Sequence, residues 1–121
     1  MSSAGAGFGD AKTNALVEAA AMRAARDHYT GWAADDVSRD KCGWDITFRR
    51  GEDERHVEIK GVSGQRPKVL LTRNEVAVAG NDAAWSLLVV TRALLAPEVH
   101  EFPASEALAA AAPYVYLADL G

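Results

Sequence analysis

Residues 44–61 read WDITFRRGEDERHVEIKG. Trp44, Ile46 and Phe48 alternate with Asp45, Thr47 and Arg49. Val57 and Ile59 alternate with His56, Glu58 and Lys60. Period-two alternation on both sides of a polar turn predicts a β-hairpin with one apolar face. A two-residue loop at Gly51-Glu52, glycine first, suits a type II′ turn. Arg50 then faces Asp53, and the same register sets Asp45 opposite Glu58. Directly opposed side chains stand roughly 4.5–5.5 Å apart at Cβ, and like charges there are destabilising. A divalent cation between the two carboxylates reverses the sign of that argument. Mg²⁺ is usually held by one or two carboxylates, with water and phosphate oxygens completing its shell. Lys60 lies on the face of Glu58, two residues on, where an ammonium can orient a water or stabilise charge on a phosphate. A register shifted by two residues instead pairs Asp45 with Lys60, a surface bridge worth about 0–1 kcal/mol. The spacing alone leaves both arrangements open.

Outward from the hairpin, residues 14–29 are rich in alanine and other good helix formers, with Thr13 or Asn14 as the cap. WAADDVS, 32–38, reads as a weak strand. After the hairpin, GVSGQRP is a loop and KVLL, 68–71, a short strand. TRNE, 72–75, has the capping-box pattern, Thr72 as N-cap and Glu75 three places on, and the helix it opens stops at Gly80-Asn81. AWSLLVVTR, 84–92, is nearly all apolar, as a strand covered on both faces is. EVHEF reads as an edge strand, SEALAAAA as a helix, and YVYLADL, 114–120, as a closing strand. This order predicts an α/β domain with helices packed on a sheet.

The 121 residues are the length of one domain, able to bury a core without staples. Residues 1–12 lack the basic start and apolar middle of a signal peptide and read as a mobile arm, leaving 13–121 as the domain. No apolar run reaches membrane-spanning length. Cys42 is the only cysteine, so no internal disulfide forms, which suits a reducing cytoplasm. The net charge is −4, but Arg39–Arg73 holds nine Lys/Arg and six Asp/Glu. A basic stretch in an acidic chain fits a phosphate-bearing partner, and equally a solvated hairpin of mixed charge.

Other residues have plainer readings. His28, His56 and His100 share no metal-ligand spacing. Cys42 has no apparent base partner. The three tryptophans suit the core. GAGFG near the start is no dinucleotide fingerprint, because no strand precedes it.

In order and spacing, SRDKCGWDITF, RHVEIKG and LTRNEVAVA resemble the NO VEIN C-terminal domain family. ALVEAAAM and DDVSRD ahead of them, and LLVVTRALLAPEVHEF after them, are similar too, so the likeness covers most of the chain. That family is related to PD-(D/E)XK nuclease-like folds, and similar to Mrr-type restriction enzymes and Holliday-junction resolvases. The resemblance implies a restriction-endonuclease-like fold, a mixed sheet flanked by helices. It also implies hydrolysis of DNA phosphodiesters with Mg²⁺ or Mn²⁺. Asp45 matches the metal-binding aspartate of the second core strand. Glu58 and Lys60 match the acidic residue and lysine of the third. The carbonyl of Ile59 is a usual further ligand, and Glu18 matches a helical glutamate that some members add. Trp44 replaces the proline that often precedes the aspartate. Arg49, Arg66, Lys68 and Arg73, with Asn74 at the helix start, are the expected contacts to the phosphodiester backbone, giving affinity without sequence choice. Family members often sit beside helicase or ATPase modules, many in bacterial defence settings. Expected partners are therefore DNA, a second copy, or such a module. The alternatives are a nuclease-like module that binds nucleic acid or protein without cleaving, and an inert scaffold with an Asp45–Lys60 bridge.

Overall fold

The structure is a computed structural model describing residues 10–121. Most of the arm expected at 1–12 lies outside the described residues. Helix α1 spans Ala11–His28, so it begins earlier than the alanine pattern suggested. Its cap is Asp10, not Thr13 or Asn14. The Asp10 carboxylate accepts both the backbone N–H and the hydroxyl of Thr13, each at 2.9 Å. A carboxylate three residues upstream outbids a hydroxyl already inside the helix.

The strands are β1 (Ala33–Asp36), β2 (Ile46–Arg50), β3 (Asp53–Gly61), β4 (Trp85–Thr91) and β5 (Glu98–Pro103). Helices α2 (Arg73–Ala79) and α3 (Ala104–Ala110) complete the described elements. The sheet runs β1-β2-β3-β4-β5, with β3 and β4 parallel and the other pairs antiparallel. The hairpin register is the expected one: Arg50 faces Asp53 and Ile46 faces Val57. Gly51 sits at φ +60°, the left-handed first position of the turn that its sequence required.

Two cores cover the two faces of the sheet. On one, the small residues Ala20, Ala21 and Ala25 of α1 let the helix lie close on Ile46, Phe48, Val57, Ile59, Leu88 and Val90. Gly61 permits the closest approach, since a Cβ there would sit 2.9 Å from the Val17 carbonyl oxygen. On the other, Trp85, Leu87 and Val89 meet Ala79 of α2 and Ala107 of α3. β4 is buried along its whole length, as its unbroken apolar run demanded.

Two expected strands do not form. Residues 68–71 lie in the loop between β3 and α2. Val69 and Leu71 alternate because they pack on the second core, not because they pair. Residues 111–121 carry no regular structure and are exposed throughout.

Candidate active site

Asp45, Glu58 and Lys60 meet on the face of β3 opposite α1. The backbone brings Asp45 there through a local irregularity. Its N–H donates to the Val57 carbonyl at 3.0 Å, although Ile46 already faces Val57 in the register. Two residues on the β2 side thus meet one on β3, a bulge that re-aims the side chain. Asp45 is therefore one step off the strict cross-strand position, and its Oδ2 accepts the N–H of Ile59 at 2.8 Å. The β2–β3 ladder ends at Ile46, so the Ile59 N–H lacks a backbone partner on β2 and the carboxylate takes that role. N–H and C=O of a residue point to the same side of an antiparallel strand, so the Ile59 carbonyl faces the Asp45 side as well.

Glu58 is 4 % exposed. Burial first, then the charge of Asp45, pushes its pKa up to about 9. Burial also raises Asp45, against the pull of the Ile59 N–H and a hydrogen bond with Glu58. Lys60 Nζ lies 3.3 Å from Glu58 Oε2. It also lies 3.1 Å from Glu75 Oε1 and 3.3 Å from Oε2. Burial works against the ammonium, but the charges of Glu58 and Glu75 outweigh it and raise its pKa.

Glu75 is the member that the sequence reading missed. The capping box forms as expected: Glu75 N–H donates to Thr72 Oγ1 at 3.1 Å, and Thr72 N–H donates to Glu75 Oε1 at 2.9 Å. The same carboxylate grips Lys60. No spacing rule signals this contact, because the two lie fifteen positions apart, across the strand end, a loop and the start of α2.

The remaining expected residues divide. Glu18 is exposed on α1, the helix that packs on the opposite face of β3. The charges that shift Asp45 and Glu58 most are each other's and those of Lys60 and Glu75. Arg66 and Lys68 are exposed in the loop after β3, and Arg73 opens α2 beside Glu75. Arg49 shares the Asp45 face but lies near the hairpin turn, paired with Glu54 at 3.0 Å. Asn74 is already engaged, donating to the Lys41 carbonyl at 3.1 Å and so tying the turn before β2 to α2.

His56 shares the polar face but serves as a strut. Its ring stacks on Trp44 at 4.2 Å between centroids. Its two nitrogens meet Asp82 and Glu54. Burial disfavours the imidazolium, yet these carboxylates overcome it and raise the pKa.

Fold and site together define a class. A mixed five-stranded sheet between helices, in the restriction-endonuclease-like arrangement, carries a buried carboxylate pair and a lysine toward the carboxyl end of its middle strand. A family model described as protein NO VEIN, C-terminal, matches residues 14–102, and the chain belongs to that family. No curated protein and no solved structure matches the chain. No helix among the described residues is long and apolar enough to cross a membrane.

Proposed function

We propose that this domain is a PD-(D/E)XK-type nuclease that hydrolyses DNA phosphodiesters with Mg²⁺ or Mn²⁺. The observation that carries the reading is the buried Asp45–Glu58 pair beside Lys60. Two carboxylates forced together out of water weaken a fold, and a cation bound between them removes the penalty. The donors suit the ion: Asp45, Glu58 and the Ile59 carbonyl are hard oxygen ligands. Among the described residues no group of three or more His, Cys, Asp and Glu is gathered as a metal site. Mg²⁺ needs only one or two carboxylates when water and phosphate complete its shell.

Bound there, the ion supplies an acidified water and charge stabilisation on the phosphate. The Ile59 N–H fixes the Asp45 carboxylate. Glu75 holds the Lys60 ammonium beside Glu58, where it orients the attacking water. Arg66, Lys68 and Arg73 grip the backbone without reading bases. A role in bacterial defence or DNA processing, beside a helicase or ATPase module, fits this chemistry.

The test is Mn²⁺-dependent cleavage. Asp45→Ala and Lys60→Ala should fold and lose it. Wild-type protein that cleaves no DNA or RNA and gives no calorimetric Mn²⁺ signal sinks the proposal. One observation favours a second reading, a non-cleaving module: the Lys60 ammonium is already paired with two carboxylates. Salt-dependent DNA binding without cleavage selects it.

A further inference from the structure

Residues 114–117, YVYL, are written as a strand and form none. Tyr114, Val115, Tyr116, Leu117 and Leu120 are 64–95 % exposed. Alternate residues of a strand point to opposite sides, so Tyr114 and Tyr116 would share one face, Val115 and Leu117 the other. Both faces are apolar. Such a strand fits only a place covered on both sides.

The fold offers one such place. β5 is an edge strand, paired only with β4. Helices lie beside it on both faces: Val99 packs with the α1 core, and Phe102 with the α3 core. Next to β5 on the α1 side is an open groove of about 520 Å³ whose apolar part is Ala20, Ala24, Ala93, Pro97 and Val99. Exposed Arg23, Asp27 and His28 also line it, so its rim carries both signs of charge and its apolar floor is what suits the tail.

We propose that the tail, residues 111–121, docks on a second copy of this chain. It adds a sixth strand along β5 of that copy, with one set of side chains in the α1–β5 groove and the other against α3. The exchange is reciprocal, so one operation satisfies both tails and both open edges. Tyrosines bury about 150–250 Å² each, so two tails with the grooves they cover approach the roughly 1,200–2,000 Å² of a stable interface. This dimer stands independently of any catalytic role.

Light scattering on the full chain, from micromolar to submillimolar concentration, is expected to report twice the 12.9 kDa chain mass. Tyr116→Asp with Leu117→Asp alters a segment that is exposed along its length, and should give a folded monomer. Ala24→Arg in the groove should also give a monomer. Mixing the two should restore a dimer, because one intact tail then meets one intact groove. A wild-type chain that stays monomeric across this range overturns the proposal, whether its tail is open or closed on its own groove. So does a dimer that survives the tail substitutions.

Discussion

The two faces of β3 are equally hidden and chemically opposite. Val57 and Ile59, on the α1 side, are 0 and 6 % exposed, and Glu58 between them is 4 % exposed on the other side. The α1 face gathers aliphatic and aromatic groups, with Phe48 stacked on Tyr29 at 4.1 Å. Its polar network is satisfied: the Tyr29 and Ser86 hydroxyls both donate to Glu101. The α2 face gathers three carboxylates around one ammonium. One face is built for stability. The other concentrates charge where burial opposes it, a feature on which the proposed function rests.

The largest effect should come from the stable face. Phe48→Ala should cost about 3–5 kcal/mol in denaturant unfolding, since it deletes a fully buried ring. A loss below about 1 kcal/mol would mean that the α1 core is not what holds the domain.

Next is Glu58→Gln, whose sign should be opposite. The folded pKa of Glu58 is about 9, against an unfolded value of 4.5. The native state therefore binds more protons between these values, and this residue makes stability fall as pH rises from about 4.5 to 9. Glutamine removes that dependence. The variant should be more stable than wild type by about 1–3 kcal/mol at pH 8, with the gap closing toward pH 4. Thermal melts across this range decide it, and a destabilised variant at pH 8 would make the pair a structural bridge.

Glu75 sits between the extremes. Glu75→Ala loses both the cap and the Lys60 contact and should cost about 1 kcal/mol. Glu75→Gln retains an acceptor for the Thr72 N–H, so its melting temperature should stay close to wild type. If Lys60 acts in cleavage, Glu75→Gln should lower kcat, with no further loss in a Lys60→Ala background. Additive losses would separate the two residues.

Smallest in stability are Arg66→Ala and Lys68→Ala, within about 0.5 kcal/mol because both are exposed. If they contact phosphate, each should reduce the salt dependence of DNA affinity by about one unit of slope. Unchanged slopes would remove this loop from the nucleic-acid surface.

Much of this was legible in the residues themselves. Alternation set the hairpin and its apolar face, and the Gly51-Glu52 turn named the register that forms, although a shift of two residues would have kept the same side chains on that face. The apolar run of β4 and the Thr72–Glu75 capping box were equally local. So was the meeting of Asp45 with Glu58, as far as register reaches. Only the tertiary structure decided the rest. The bulge at Asp45 depends on where β2 stops. The grip of Glu75 on Lys60 depends on how a loop returns α2 to the sheet. Glu18 was placed by helix packing, which sends α1 to the other face. Val69 and Leu71 look like a strand but lie on a core, and residues 114–117 look like a strand but pair with none of the described strands. Local pattern records which side chains seek burial. Which backbone or charge meets them is settled by contacts between distant segments, and no short window of sequence contains those.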